Sequence, residues 1–352
     1  MNTNYKQIPM PARYGINTVL LLVLCGGLVA LSAAGILSNY YTSVLVLAGI
    51  NIILTVSLNV ATGYLGQLPL GHAGFMAVGA YAGGIFMKAT PLADLVRKGN
   101  LVEGIPYIIV ALILSGVVAA IFGIIIGVPA LRLKGDYLAI ITLGFGEIIR
   151  VVLTNIDSVL GFELTYGASG LKRIPMISTL AVILVCVVLT CLVIHMIMKS
   201  RHGRAILSIR ENEIAAESCG INTTYYKVMA FTLSAFFAGI AGCLYAGYLG
   251  SLYPNTFGFM KSIEILVMVV LGGMGSMLGS ILSATILTIL PQALQEFSDY
   301  RMVVYSLVLI LVMIFRPKGL MGTYDFSMSR LLETIWNKIS PTDTNGKGGQ
   351  PS

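Results

Sequence analysis

The segment 201–222, RHGRAILSIRENEIAAESCGIN, is a dense group of ionisable side chains, with three arginines, three glutamates and a histidine between two apolar runs. Residues 205–218 are good helix formers without Pro or Gly, and Gly220 is a typical stop for a helix. A charge at the centre of a membrane-spanning helix costs about 2.5–3.5 kcal/mol, which excludes this helix from the bilayer. The pattern predicts a surface helix, either a solvated connector or an element that docks on another protein.

A second charged group, Glu147 and Arg150, lies within the apolar stretch LGFGEIIRVVL. Residues three apart on a helix share a face, so the two side chains are close enough to form an ion pair. Charges inside membrane-spanning helices are rare, and they usually face the protein interior or a water-filled cavity. The pair is therefore a candidate polar gate, and the alternative is a structural ion pair that holds helices in register.

The stretch 63–84, GYLGQLPLGHAGFMAVGAYAGG, combines many glycines with a proline and a histidine. Membrane proteins tolerate helix breakers where the backbone lies inside the protein or lines a cavity, and transporters direct the ends of broken helices at substrate charges. Four residues are candidates for lining a translocation path: Pro69, Gly71, His72 and Gly74. The alternative is close helix packing, with Gly79 and Gly83 as a GxxxG step and His72 as a hydrogen-bonded structural histidine.

These groups must be positioned by membrane-spanning helices, because the composition is that of a membrane protein. Of the 352 residues, 57% are hydrophobic and only 11% are charged, whereas soluble domains carry about 25% charged residues. The 39 glycines suit close packing of helices in lipid. The sequence therefore predicts an all-α polytopic membrane protein, and it lacks the alternating pattern of a transmembrane barrel.

Other kinds of chemistry lack support in the sequence. The five cysteines form no CxxC pair and no Cys/His metal spacing, so neither a disulfide framework nor a metal site is expected. The three histidines lie in different segments, and no dense His/Asp/Glu cluster indicates an enzyme. The net charge of +7 is typical of cytoplasmic loops in membrane proteins and does not indicate nucleic-acid binding.

The apolar runs divide the chain into about ten membrane-spanning helices, since each span needs about 20 residues. They are predicted at residues 17–37, 42–60, 64–87, 106–130, 137–155, 176–198, 228–250, 262–275, 278–295 and 302–316. Four glycines between 272 and 279 interrupt the eighth and ninth spans, so a broken or re-entrant pair is a candidate there.

An even number of spans puts both termini on one side of the membrane. About twice as many Lys and Arg fall on the side of the amino terminus as on the other, which predicts that both termini are cytoplasmic. The predicted domains are a cytoplasmic amino terminus at 1–16, a transmembrane domain at 17–316 and a cytoplasmic, partly disordered tail at 317–352. The charged segment then lies in the largest internal cytoplasmic loop, 199–227.

Several long motifs, in chain order, are similar to one family. They are the stretch 63–84, LRLKGDYLAIITLGFGEIIRVVLTN at 131–155, YGASGLKRIP at 166–175, the run 200–280 from SRHGRAIL to VLGGMGSMLGS, and FRPKGLMG at 315–322. Over roughly residues 40–322 the chain resembles the permease subunits of branched-chain amino acid ABC importers, in the LivM branch. The resemblance implies a type II ABC importer-like permease, multi-pass in the bacterial inner (cytoplasmic) membrane.

The resemblance also implies partners beside the membrane lipid. These are a homologous second permease (LivH-like), two ATPase subunits on the cytoplasmic face, and a periplasmic or extracellular substrate-binding protein that delivers leucine, isoleucine or valine. The chain has no GxxxxGK[ST] phosphate loop, so ATP and Mg²⁺ are expected on the partner ATPases. The chain itself is then a transport subunit without a catalytic residue or a cofactor of its own.

ABC importer permeases present a short coupling helix to the ATPase, often with a pattern like EAA followed three residues later by Gly. Here Ala215, Ala216 and Gly220 match the pattern. Ile214 stands where the pattern has its first glutamate, and Glu213 comes one place earlier. By this resemblance the candidates for ATPase coupling are Arg210, Glu211, Glu213, Ile214, Ala215, Ala216 and Gly220.

Two alternatives are open. The same class of ABC permease carries urea, amides or other amino acids, and specificity often resides in the binding protein. The other alternative is an ion-coupled secondary transporter, for which Glu147 and Arg150 would be the functional charges. In an amino acid importer the same pair is a candidate contact for the amino acid zwitterion.

Overall fold

The computed structural model of this chain describes residues 38–294, apart from 98–100, 134 and 162–164. Outside that stretch it describes only short pieces at 26–32, 35, 303, 306–307, 310–311, 314–315 and 319–321. The predicted terminal segments 1–16 and 317–352 and the first and tenth predicted spans therefore lie wholly or largely outside the described residues. Residues 38–324 form one compact unit.

The described part of the chain is almost entirely helical. In chain order the helices are α1 (Asn39–Asn59), α2 (His72–Ala89), α3 (Leu92–Arg97), α4 (Leu101–Ala130), α5 (Asp136–Leu160), α6 (Leu180–Lys199), α7 (Arg201–Glu211), α8 (Glu213–Ser218), α9 (Thr223–Leu249), α10 (Phe259–Gly272) and α11 (Met277–Ala293). A π-helical turn at Val60–Tyr64 extends α1, and 3₁₀ turns lie at Gly167–Ser169 and Pro254–Phe257. The two-residue strands β1 (Leu171–Lys172) and β2 (Ser251–Leu252) pair antiparallel.

Six of the described segments are long and apolar enough to cross a membrane. They are Asn39–Tyr64, Glu103–Ala130, Asp136–Ser158, Leu180–Lys199, Thr223–Leu249 and Pro254–Gly272. The helix α11 is also apolar but shorter. The helix α2 is almost entirely buried inside the bundle. Within the described residues, these helices confirm the predicted all-α polytopic architecture.

The helix boundaries correct one predicted span. The span predicted at 64–87 consists of the last residue of the π turn, a connection at 65–71 that is not helical, and α2, which begins only at His72. Within the connection Gly66 adopts a left-handed φ of +78°. Because this conformation favours glycine and because Pro69 lacks an N–H donor, the apolar pattern is not helical throughout.

The helices α2, α4 and α9 form the centre of the bundle, and glycines set their spacing. A Cβ atom on Gly79 of α2 would overlap the backbone of Gly239 on α9, and one on Gly242 of α9 would overlap the Met76 carbonyl of α2. A Cβ on Gly239 would also meet the Ser115 carbonyl of α4. Such close approach increases van der Waals packing, which drives helix association in lipid. We call the Gly79–Gly239 and Gly242–Met76 contacts the glycine seam.

The helices α10 and α11 are short, with 14 and 17 residues. At about 1.5 Å per residue they are about 21 and 26 Å long, less than a hydrocarbon core of about 30 Å. Gly273 and Gly275, at φ +106° and +89°, form the turn between the two helices. The interruption predicted for the eighth and ninth spans is therefore present at this turn.

Candidate functional site

The charged segment 201–222 folds as two helices, so the single helix predicted at 205–218 is wrong. The first helix, α7, ends at Glu211, and Asn212 is extended with φ −157° and ψ 108°. The Asn212 side chain accepts a hydrogen bond from the Ala215 N–H at 3.0 Å and caps the amino terminus of α8. Asn favours this position because its side chain competes with the helical backbone, so the helix breaks there without Pro or Gly.

The predicted stop at Gly220 terminates α8. Gly220 has φ +80°, its N–H donates to the Glu217 carbonyl at 2.9 Å, and the Ile221 N–H donates to the Ala216 carbonyl at 3.1 Å. These two bonds form a Schellman motif, which requires the left-handed conformation that glycine adopts without strain. Local hydrogen bonds therefore define where α8 ends and where the chain turns toward α9.

Among the coupling candidates, those on α8 divide between an exposed and a buried face. Ile214 is 75% exposed and Ala215 is exposed beside it, whereas Ala216 is only 5% exposed. Glu211 and Gly220 are exposed as well. The short helix therefore presents a small apolar surface to its surroundings.

Glu213 faces the bundle and pairs with a lysine. Its carboxylate accepts a hydrogen bond from Lys227 Nζ at 2.7 Å, with 6% of the Lys227 side chain and 30% of the Glu213 side chain exposed. A lysine buried to this extent needs a charged partner. The pair therefore fixes the start of α8 to the start of α9.

Arg210 also turns toward the bundle. Its Nη1 donates a hydrogen bond to the Gly63 carbonyl at 2.6 Å, within the π turn that extends α1. Most of the coupling candidates are thus exposed, and two of the charges, the exposed Arg210 and the half-buried Glu213, also bind the bundle.

The path candidates that precede and begin α2 pack against α5. A Cβ atom on Gly71 would overlap the Thr142 carbonyl, and one on Gly74 would approach the Gly146 Cα to 2.9 Å. Pro69 is also buried. These residues bring the backbones of two helices into close contact inside the chain.

His72 is the first residue of α2 and is 2% exposed. Its Nε2 lies 3.0 Å from the Ser57 hydroxyl of α1, and that hydroxyl donates its own proton to the Leu54 carbonyl at 2.8 Å. His72 therefore connects α2 to α1 in a buried position.

Glu147 and Arg150 form the ion pair that their spacing predicts, with Arg150 Nε donating to Glu147 Oε2 at 2.7 Å. Both also bind the chain that leads into α10. Glu147 Oε1 accepts from the Phe259 N–H at 3.0 Å, and Arg150 Nη1 donates to Asn255 Oδ1 at 3.0 Å. Glu147 thus occupies the amino terminus of α10, where free N–H groups and the helix dipole favour a negative charge.

A polar cavity of about 340 Å³ lies between α5 and the start of α10. Glu147, Arg150 and Lys261 contribute charges to its lining. Glu147 lies about 16 Å from the amino-terminal end of α5. The start of α2 is close to that of α10, since the Ala73 N–H donates to the Ser262 hydroxyl at 3.1 Å. Two helices therefore begin inside the bundle near one polar cavity.

Several residues of these sites were not predicted from the sequence. Asn255 and Ser262 bind partners that are 105 and 189 residues away, and their residue types carry no signal for those contacts. The sequence does contain one indication of the Lys227 contact. Lys227 immediately precedes the predicted span 228–250, and a lysine buried at that position requires an acidic partner.

A second cavity has a different character. It measures about 830 Å³, lies between α4, α6, α7 and α9, and has no Asp, Glu, Lys or Arg in its lining. It therefore lacks the charges that would bind a charged solute. Within the described residues, no group of three or more His, Cys, Asp or Glu side chains could hold a metal ion.

Long apolar helices, two helices that begin inside the bundle and an exposed surface helix together define a multi-pass membrane protein. A sequence profile of the family described as "Branched-chain amino acid transport system / permease component" matches residues 40–315. This range covers most of the chain, and the chain belongs to that family of permease components.

The chain is similar to the high-affinity branched-chain amino acid transport system permease protein LivM of Salmonella typhimurium, with 37% identity over 306 residues, 77% of this chain and 68% of the relative. It is 24% identical over 314 residues to the probable branched-chain amino acid transport permease protein LivM of Methanocaldococcus jannaschii, covering 77% and 90% of the two chains. A shorter similarity, 34% identity over 125 residues, relates it to the permease protein LivH of Escherichia coli, covering 35% of this chain and 40% of that protein.

Proposed function

We propose that this chain is the membrane-spanning permease subunit of an ATP-binding cassette importer that carries leucine, isoleucine and valine across the bacterial inner membrane. The family match over residues 40–315 carries the proposal. A second permease, two ATPase subunits and a substrate-binding protein complete the transporter, and the ATPases bind ATP and Mg²⁺. Similarity to both LivM and LivH proteins supports a pair of related permeases.

The proposal includes ten spans with both termini in the cytoplasm. The helices α1, α2, α4, α5, α6, α9, α10 and α11 supply eight spans, and residues 17–37 and 302–316 supply the others. Contacts between loops support this topology. Arg210 binds Gly63, and both are cytoplasmic in the proposed arrangement. The paired strands β1 and β2 join two loops that are both external in it.

We assign the exposed surface of α8 to the ATPase. Ile214 and Ala215 offer a small apolar contact, and Gly220 allows the sharp turn into α9. The ion pair between Glu213 and Lys227 fixes α8 to α9. Displacement of α8 by the ATPase is then passed to a long helix at the centre of the bundle as a rigid-body movement.

The polar cavity beside Glu147 is the proposed contact for the amino acid zwitterion. Arg150 and Lys261, whose Nζ also donates to Glu264 Oε2 at 3.0 Å, suit a carboxylate, and Glu147 suits an ammonium group. Phe259 and Met260 also line the cavity and are exposed, which suits a branched aliphatic side chain. The volume of about 340 Å³ is at the small end of ligand pockets, as a single amino acid requires.

Reconstitution of the complete transporter in proteoliposomes tests this function. We expect uptake of labelled leucine, isoleucine and valine that requires ATP, both permeases and the binding protein. Uptake of urea or amides in place of these amino acids would contradict the proposed cargo. Accumulation of solute by this chain alone on an ion gradient would contradict the ABC mechanism.

Ala215→Leu tests the docking surface. Because Ala215 is exposed, we expect the variant to fold. The larger side chain should hold the ATPase away from α8 and lower uptake by about tenfold, which is the effect of losing a coupling free energy of typical size. Ala181→Leu, at an exposed position in the first turn of α6, is the matched control and should transport normally. Normal uptake by the Ala215→Leu transporter would remove α8 as the ATPase contact.

A further inference from the structure

Two breaks between helices meet at one end of the bundle, and glycines lie at both. One break follows α1, and the other is the turn between α10 and α11. We call their four glycines the glycine junction: Gly63, Gly66, Gly273 and Gly275. A Cβ atom on Gly63 would overlap the Gly275 nitrogen, so the two breaks touch through their backbones. The other three have left-handed φ angles, which strain residues that carry a Cβ.

Side-chain and backbone hydrogen bonds hold this junction together. The Asn59 side chain accepts from the Gly275 N–H at 2.9 Å and donates to the Ser276 carbonyl at 3.2 Å. The Leu320 N–H, within the motif FRPKGLMG, donates to the Leu271 carbonyl at 2.8 Å. Three separate parts of the sequence therefore converge at the junction.

Arg210 enters the junction from the charged segment. Its Nη1 donates to the Gly63 carbonyl at 2.6 Å. A Cβ atom on Gly66 or Gly275 would lie 3.1 or 3.0 Å from the Arg210 side chain. A hydrogen bond from a guanidinium is charge-assisted and stronger than one from a neutral donor. One side chain of α7 therefore contacts both helix breaks.

The helix α10 connects the glycine junction to the polar cavity. It ends at Gly272, next to Gly273 of the junction, and at its other end the Phe259 N–H is bound by Glu147. Because the helix is about 21 Å long and internally hydrogen-bonded, a shift at one end displaces the other.

We propose that Arg210 is a positioning residue that carries movement of α7 and α8 to both helix breaks and, through α10, to the cavity beside Glu147. The inference rests on the proposed function, because it requires an ATPase that displaces α8. Hinges are a few residues that absorb changes in φ and ψ, and glycine does so with little steric strain. Since Arg210 contacts both breaks, they change conformation together.

The experiment compares Arg210→Ala and Arg210→Lys with Arg204→Ala in the reconstituted complete transporter. Arg204 is the matched control, because it is an exposed arginine of the same helix whose Nη1 reaches the Lys199 carbonyl. ATP hydrolysis and leucine uptake are measured in the same vesicles. We expect R210A to keep ATP hydrolysis while uptake per ATP falls by about tenfold, within the range typical of coupling between sites. R204A should stay within about twofold on both measures, since exposed charge contacts contribute little.

R210K separates positioning from folding, because lysine keeps a charged donor but not the planar guanidinium whose Nη1 binds Gly63 and lies beside Gly275. We expect its uptake per ATP to lie between those of wild type and R210A. The inference is overturned if R210A keeps uptake per ATP within about twofold of wild type, because such a change is smaller than a typical coupling between sites. If R210A does not assemble, uptake per ATP in R210K is compared with wild type, and a value within about twofold overturns the inference. A wild-type complex in which ATP hydrolysis drives no uptake is a failure of the proposed function instead.

Discussion

Lys227 places an ammonium group at the start of α9 with only 6% of its side chain exposed, and Glu213 is its partner. Glu213→Ala is expected to lower the free energy of unfolding by about 2–3 kcal/mol, less than for a fully buried pair because Glu213 is partly exposed. Adding Lys227→Met should restore most of that loss, since no unpaired charge then remains. Thermal unfolding of the detergent-purified protein measures both variants. Equal destabilisation by the single and double variants would exclude the ion pair as the cause.

At the scale of residues, the sequence predicted contacts that are local. Glu147 and Arg150 are three residues apart and form the predicted pair, and Gly220 stops a helix as predicted. The groups that join this pair to α10 were not predictable. Asn255 and the Phe259 N–H lie 105 and 112 residues from their partners, and a backbone N–H has no residue-type signal. Such contacts depend on how α5 and α10 pack.

At the scale of helices, the glycine seam makes α2 and α9 intolerant of added atoms. Gly79→Ala is expected to destabilise the protein by about 1–3 kcal/mol, because the added Cβ overlaps the backbone of Gly239. Gly144→Ala in α5 is the matched control. A Cβ there meets no atom within 4 Å, so helix propensity should raise stability by about 0.5–1 kcal/mol. Thermal unfolding in detergent compares the two, and similar midpoints would contradict backbone contact at the seam.

The positions of the long helices could be predicted from the sequence, whereas the breaks between and within them could be predicted only in part. An apolar run is a local property, and the predicted spans from 42 to 295 each overlap a described helix. The break at Asn212 was missed because an asparagine is compatible with a helix until its side chain finds a backbone N–H to cap. Gly66 and Pro69, both visible in the stretch 63–84, favour a break before α2, whereas the close contacts of Gly71 and Gly74 with α5 cannot be read from that stretch.

At the scale of the whole molecule, α5 and α6 are both largely uncovered, with 17% and 22% of their apolar windows buried. They differ in character, because α6 is the more apolar helix and α5 carries Glu147 and Arg150. A purely apolar surface suits lipid, whereas charges within a span face protein or water. In the proposed transporter, α6 faces lipid and α5 faces the translocation path.

Two cysteine variants test this arrangement in an assembled transporter whose five native cysteines have been replaced. Ile148→Cys on α5 and Val185→Cys on α6 change residues of similar exposure, 56% and 60%. A water-soluble maleimide should label the α5 cysteine several-fold faster, and leucine with the binding protein should slow that labelling. The lipid-facing α6 cysteine should react slowly under all conditions. Equal labelling rates at the two positions would contradict a path along α5.

The glycine seam also provides an internal distance reference for spectroscopy. At the glycine seam α2 and α9 touch through backbone atoms, so no side chain at these contacts can rearrange to change the separation of the two helices. Probes attached to these two helices should therefore report a constant distance in every state of the transporter. A distance measured from either helix to a probe on α5 or α10 then records the movement of that helix relative to the α2–α9 pair. Two close backbone contacts at glycines thus define the coordinate frame in which the moving parts of the permease can be measured.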